Sequence, residues 1–541
     1  MKLIKLFDHS ARLLCLRAGL ALVITLSLFS AGPIRAAGPT CSVPGTYLTI
    51  TAAVTDAGCL TINVGAGTYN EFDIIVSRNV SIVGNSGSPG SVILDAGSTS
   101  HRGFYINAGY VVTLSGLTIQ HGYAGGSGGG IENHGTLVLD HSQVISNVIQ
   151  GGSGGAGLYN AGNATLNNVV LSENIAPTAT VLYGGAIDND TGGVMTVTLT
   201  LISGNIAAYG AGINNLGRLN LSHSTISTNT ASVEGAGLLN GGPLTVTQDS
   251  LFGNVASGSG GGLANVGTSN PVIISATTFA NNSAQFGGGL IHQGSQSVVI
   301  VSTSLFTHNS ASLSGGGIYS SETLKVMTDT FANNTALNGA GGGLVTLGDA
   351  STVDSSTFFG NAANIEGGAI RSASSDVLTM TNDTLTDNMA GTGGGISHNS
   401  GVLTLLNSTL DGNQASTGGN LAKLSGIFTI KNTIIASGSP ANCSGSITNG
   451  GHNLQYGDLS CGGAVANQNP ELGPLQINAP GSTATEALLA GSPAIDAGDN
   501  SGCPATDQRG VPRPVNSICD IGAYEYDLFV KVFLPLALKS P

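Results

Sequence analysis

The sequence contains no tryptophan, and only 16 of its 541 residues are Lys or Arg against 30 acids. A formal charge of −14 repels nucleic acid, so a phosphate-binding role is excluded. Only 9% of residues are charged, which leaves Thr, Ser, Asn and Gly to cover the outside. No coil of the repeat carries a 3.6-residue apolar stripe long enough for a helix, and helix interiors would lose about 1 kcal/mol at each glycine, of which the chain has 83. There is no Asp-x-Asp-x-Asp-Gly loop and no calcium-binding nonapeptide. Gly-rich runs such as Ser127 to Gly130 lack the following Lys-Ser/Thr of a phosphate loop. The histidines are scattered, and no metal ligand set is expected.

What the sequence has instead is one phrase repeated twelve times. The residue before the Ile or Leu that follows each glycine cluster is Gly130, Gly157, Ala186, Gly212, Gly237, Gly262, Gly289, Gly317, Gly343, Ala369, Gly395 and Asn420, at steps of 25 to 29 residues. Self-similarity at a fixed period marks a solenoid. Leu324-Lys-Val326, Leu244-Thr-Val246, Leu137-Val-Leu139 and Leu403-Thr-Leu405 alternate at period two, as half-buried strands do. Short strands joined by Gly/Asn corners predict an all-β, right-handed parallel β-helix with N- and C-terminal caps.

Stacking turns columns of the repeat into ladders in space. Phe252, Phe279, Phe306, Phe331 and Phe358 form an expected core stack. Asn147, Asn174, Asn205, Asn229, Asn254, Asn282, Asn309, Asn334, Asn361, Asn388 and Asn413 form one polar column. Asn133, Asn160, Asn189, Asn215, Asn240 and Asn265 form a second, continued by His292, Ser320, Thr346, Ser372, His398 and Lys423. Both Asn columns read as structural, bonding one another and the corner backbone.

Five segments are expected. Residues 1–37 read as a signal peptide, with a basic start, an apolar stretch from Ala18 to Phe29 and small residues Ala31, Ala36 and Ala37 at a cleavage site. They hold five basic residues and one acid, so their removal changes the formal charge from −14 to −18. Residues 38–122 read as an N-terminal cap with the first coils, 123–440 as the repeats, 441–526 as a C-terminal module and 527–541 as an apolar tail too short to span a bilayer. Besides Cys15 in the leader, six cysteines remain: Cys41, Cys59, Cys443, Cys461, Cys503 and Cys519. Their three local pairs fit disulfides in an oxidising compartment, with nearest-neighbour pairing one of fifteen connectivities. Export and cell-surface association follow as expectations.

Three stretches resemble known families. Ala66-Gly-Thr-Tyr-Asn-Glu71 resembles the opening of pectin-lyase-like β-helices. The Gly-Gly-Ala/Gly-Ile/Leu and Phe-x-x-Asn units, over about Gly128 to Ala436, resemble the polymorphic outer-membrane protein repeat of bacterial surface proteins. That family's transmembrane barrel has no counterpart before Pro541. Asn469-Pro-Glu-Leu-Gly-Pro-Leu475, Gly491 to Gly498, Cys503 to Pro514 and Cys519-Asp-Ile-Gly-Ala-Tyr-Glu525 resemble the choice-of-anchor Q module, which implies surface association.

The pectin-lyase resemblance raises a polysaccharide lyase or glycoside hydrolase as the alternative to a structural or adhesive, carbohydrate-binding role. Lyases of that kind bind calcium through acids and use Arg or Lys as base. The basic residues of the β-helix, Arg78, Arg102, Arg218, Lys325, Arg371, Lys423 and Lys431, sit in no acid-rich stretch. Otherwise no cofactor is expected. The best acidic constellation is Glu132 and Asp188, two coils apart with Tyr159 between them, and with Asp190, His134 and Arg218 as neighbours. Their slot is expected to face outward, and is filled in other coils by Asn214, Leu239, Ala264, Ile291, Val345 and Ser397. Two strand spacings, roughly 9 to 10 Å, lie near the upper limit for an inverting carboxylate pair.

Overall fold

The computed structural model describes residues 39–152, 154–177, 182–267, 271–348, 350–373 and 377–527. The leader, residues 1–37, and the apolar tail beyond Asp527 lie outside the described residues. One coil shows the plan: strand Ile318–Ser320 is followed by Leu324–Met327, Thr330–Ala332 and the short Thr335–Ala336. Each pairs in parallel with its counterpart one coil on, Ile318 with Leu344, Val326 with Val353, Phe331 with Phe358 and Thr335 with Ala362. About sixteen such coils stack into a parallel β-helix, right-handed as the crossover rule for parallel strands requires. Below, the four strands of a coil are called first to fourth in chain order.

Three of this coil's four turns each pivot on one residue with positive φ. In this coil they are Thr328 (φ 61°), Asn333 (φ 55°) and Gly341 (φ 66°). The first two corners take many residue types. The third takes glycine because the chain passes so close that a Cβ at Gly341 would lie 2.6 Å from the Leu344 carbonyl oxygen. That packing requirement, more than flexibility, explains the recurrent glycine cluster.

One hydrophobic core runs from Cys41 to Cys461 without a break. Phe279, Phe306, Phe331 and Phe358 stack face to face at 4.6, 4.9 and 4.5 Å, with ring planes within 6° of parallel. Phe252 does not belong to this stack: Leu251 occupies the column beside Phe279, while Phe252 pairs with Ala280 and is 40% exposed. The other aromatics precede their ladder Asn by three residues, but Phe252 precedes Asn254 by two. Alternation of faces along a strand then puts its ring outside.

The first Asn column is buried from Asn147 to Asn413. Asn309 shows the pattern. Its Oδ1 accepts from the backbone and side-chain nitrogens of Asn282, and its Nδ2 donates to Phe279 O and to Asn334 Oδ1. The ladder ends by passing from Asn413 to Asn420 and then to Asn442. The second runs from Asn133 through Asn265, whose Nδ2 lies 3.1 Å from His292 Nδ1. A third ladder, absent from the sequence reading, starts each third strand. The backbone N–H of Ser224, Ser304 and Ser356 is accepted by Asp249, Asp329 and Asp383, and that of Thr277 and Asp383 by Ser304 and Ser408.

At the N-terminus a six-residue helix, Ile50–Thr55, covers the first coil. Glu71 accepts from the amides of Ile50 and Thr51, and Arg78 donates to the carbonyls of Ala53 and Val54, so two coil residues hold its two ends. Cys41–Cys59, Cys443–Cys461 and Cys503–Cys519 are disulfide-bonded. At the C-terminus the chain folds back along the outside of the third strands. A hairpin, Leu472–Ile477 with Ala484–Leu488, and the segment to Tyr526 cover Thr357, Thr384, Thr409 and Ile434, all at most 1% exposed. Their counterparts in uncovered coils, Thr278, Leu305 and Thr330, are half-buried.

Candidate functional site

The acidic constellation lies on three consecutive first strands, Ile131–Asn133, Leu158–Asn160 and Ile187–Asn189. Register places Glu132 beside Tyr159 and Tyr159 beside Asp188, so their backbone positions are two strand spacings apart, roughly 9–10 Å.

The slot is not an open outward face. Its side chains point away from the core but lie under the glycine corner of their own coil, and Asn214, Leu239, Ala264, Ile291, Val345 and Ser397 are at most 5% exposed. Leu239, Ala264 and Ile291 form a small second core with Tyr209, Phe286 and Tyr319. Asp188 shares this burial at 2% exposure, and a Cβ added at Gly154 would come within 2.7 Å of its Oδ2.

Each acid is already engaged. Glu132 forms an ion pair with Arg102 and accepts at 2.8 Å from His134 Nε2, with its own side chain 13% exposed. Arg102 therefore does sit among acids, which contradicts the reading from local sequence: Arg102 and Glu132 are 30 residues apart in the chain, but their coils are adjacent. The His134 ring lies between Tyr105 and Tyr159 at 5.3 and 6.0 Å, and the Arg102 guanidinium lies 5.4 Å from the Tyr105 ring centre. Tyr159 donates to Asp190 Oδ2 at 2.6 Å, and Asn214 donates to Asp188 Oδ1 at 2.7 Å. Arg218 is not part of this group. It lies on a second strand, Arg218–Ser222, beside a shallow depression lined by Asn220, Pro243, Thr245 and Ile273.

The electrostatics separate the two aspartates. Burial, reinforced by the charge of Asp190, pushes Asp188 up to about 7 against the Asn214 hydrogen bond. Asp190 is held below the usual carboxylate range by the Tyr159 hydroxyl, with the Thr191 amide and the His134 ring adding to it. Asp188 is thus half-protonated near neutrality and Asp190 is ionised. Carboxylates driven apart in this way have the protonation states that an acid and a base need. Reaching a substrate from Asp188 requires the corner above it to open. Among the described residues, no group of three or more His, Cys, Asp or Glu is placed to hold a metal ion.

The sequence reading missed Gln508, Arg509 and Arg513, which lie inside the C-terminal words already noted. Arg509 pairs with Asp507 at 2.7 Å and stacks 3.5 Å from the Tyr524 ring centre; Arg513 pairs with Glu525 at 3.1 Å. These buried pairs fold the segment, and Gln508 joins it to the solenoid. The recurrence of charged and Pro/Gly residues in Asp507 to Pro514 was the available signal.

No family model matches the chain, and no curated protein matches it. Among solved structures, a crystal structure of pectate lyase Pel9A aligns with 90% of this chain and 96% of its own, at 11% sequence identity and a TM-score of 0.26. A likeness at that level carries nothing about what this chain acts on.

Proposed function

We propose that the protein is an exported, cell-surface or secreted β-helix whose role is structural and adhesive, with polysaccharide or other cell-surface components as its partners. The observation that carries this reading is the fate of its carboxylates. Glu132 is bound by Arg102 and His134, Asp188 is buried against Asn214, and Asp249, Asp329 and Asp383 accept backbone amides inside the solenoid. A long rigid rod with its polar chemistry turned inward supports a display or attachment role. The leader-like residues 1–37 and the three disulfides fit an oxidising compartment. The repeat units and the words from Asn469 to Glu525 support surface association through their resemblance to the polymorphic outer-membrane repeat and the choice-of-anchor Q module. No helix among the described residues is long and apolar enough to cross a membrane.

A second reading, a polysaccharide lyase or hydrolase, is favoured by one observation: Asp188 and Asp190 titrate apart beside the half-buried His134–Tyr105 pair. The deciding experiment incubates the purified chain with acidic and neutral polysaccharides, with and without calcium, and measures reducing ends, unsaturated products and polymer retained on the protein. The structural reading expects retention without cleavage, unchanged in Glu132→Gln and Asp188→Asn. Cleavage that these substitutions abolish would establish the enzyme instead.

A further inference from the structure

The fold-back of the C-terminal segment buries a carboxyl group at a seam where nothing neutralises it. Glu486 stands on the strand Ala484–Leu488, which lies against the third strand Thr384–Thr386. It is 6% exposed, and its Oε2 is buried without a hydrogen-bond partner. The groups that face it from the solenoid are Asp411, at the end of the next third strand, Asp387, at the corner after Thr386, and the Thr386 hydroxyl. Asp411 Oδ1 is also buried and unpartnered. The two arginines of the segment are committed to Asp507 and Glu525, and Lys431 to Asp499.

We infer that the seam between the C-terminal segment and the last coils is a proton-operated clasp, closed while Glu486 is a neutral acid and loosened when it ionises against Asp411 and Asp387. Three carboxylates drawn together across one interface cannot all remain charged without repulsion, and closing the seam removes Glu486 from water. Burial, and then the charges of Asp411 and Asp387, push Glu486 up to about 8 in the closed seam, against the Thr386 hydrogen bond. The sign follows. A carboxyl raised by closing binds a proton more tightly when closed, so the stabilisation of the closed form is complete below the group's free value and is lost as pH rises towards 8. Elsewhere the seam, from Thr357–Ala484 to Asn432–Asp499, holds uncharged hydrogen bonds, the contact of His452 with the Ala497 carbonyl and the half-buried Lys431–Asp499 pair. Asp520, which burial also pushes up to about 7, accepts amides within the segment itself, so Glu486 is the raised carboxyl of the segment that faces the solenoid's own acids. This inference is independent of whether the rod binds a glycan.

The test uses the full chain and trypsin. Arg509 is 8% exposed and lies inside the docked segment, so cleavage after it reports opening; the Cys503–Cys519 bridge makes reducing gels necessary. Cutting is compared at pH 6 and pH 8 in the wild type and in Glu486→Gln, whose ratio reports the protease's own pH dependence. The clasp expects the wild-type ratio to exceed that of Glu486→Gln by at least about tenfold, since opening gains up to tenfold per pH unit between the free and closed values. Hydrogen exchange, read as the difference between wild type and Glu486→Gln at each pH, should show the same acceleration in 472–526 and no difference in the coils of Asn147 to Asn309. Equal ratios, or a wild-type-minus-variant difference spread over the whole rod, would overturn the inference. If Glu486→Gln does not fold, Asp411→Asn on the solenoid side is read the same way, with a severalfold smaller ratio than wild type expected and an unchanged ratio counting against it.

Discussion

Thr384 Oγ1 donates a hydrogen bond to Gln508 Oε1 at 2.6 Å, joining two residues 124 positions apart in the chain. Gln508 is 2% exposed, and its Nε2 reaches Thr357 Oγ1, Thr483 Oγ1 and the Ala484 carbonyl, so one amide ties two coils to the hairpin that covers them. Replacing it by an apolar residue of similar size leaves Thr384 buried with an unmet hydroxyl, while Thr357 keeps its bond to the Ala484 carbonyl. Gln508→Leu is expected to weaken docking by about 2–3 kcal/mol, and Thr384→Val by less. Hydrogen exchange in 472–526 measures both, and the double variant should cost less than their sum because the two share a bond. Additive losses would mean that this contact does not hold the seam.

The first Asn ladder predicts where the rod breaks. The Asn309 amide accepts two hydrogen bonds and donates two. Asn309→Ala removes all four and leaves buried backbone groups unpaired, for a loss of about 2–4 kcal/mol. Because a solenoid is stabilised coil by coil, the loss should divide urea unfolding into two steps centred on this coil. A single step at the wild-type midpoint would show that the ladder contributes little.

The columns of one residue type were legible in the sequence, and the mixed ones were not. Phe279, Phe306, Phe331 and Phe358, and Asn147 to Asn413, repeat one side chain at a fixed position, so periodicity alone exposes them. The third ladder escaped because Ser304, Asp329, Ser356 and Asp383 do the same work with different residues: each supplies one oxygen to an amide of the coil before. Burial of the Glu132–Asp188 slot escaped for another reason. Its cover is the glycine corner of the same coil, and glycine leaves no apolar signature. Docking by Gln508 is non-local and falls outside any period. Phe252 is one residue out of phase with the column, as its two-residue distance from Asn254 shows.

Acid is predicted to stabilise the rod. Burial pushes Asp249 up to about 7, Asp329 up to about 8 and Asp383 well above its ordinary value, each against the backbone amides it accepts. A carboxyl raised by folding contributes stability that is complete below its unfolded value near pH 4 and is lost as pH climbs through 7 to 8. His292, which burial holds down to about 4, acts in the opposite sense below its unfolded value of about 6.5. The melting temperature should therefore fall between pH 6 and pH 9. Asp249, Asp329 and Asp383 replaced together by Ser, the residue that neighbouring coils use, should flatten that fall. A melting temperature that rises with pH over this range would show that the amide bonds outweigh burial and that these acids are ionised.

The aromatic column offers the sharpest test of register. Phe306 is wholly buried between Phe279 and Phe331, whereas Phe252, one coil below Phe279 in the repeat, is 40% exposed. Phe306→Ala opens a cavity between two rings that the rigid strands on either side cannot close, and should cost about 3–5 kcal/mol. Phe306→Leu should cost much less, because Leu251, Leu385 and Leu410 already fill this column in other coils. Phe252→Ala removes a ring that faces water and should change stability by no more than about 0.5 kcal/mol. Leu251→Ala in the same strand should lose about 2–5 kcal/mol. Urea denaturation of the four variants separates the two registers: reversed costs at 251 and 252 would place Phe252 in the stack and shift that strand by one residue, carrying Ser250 inward.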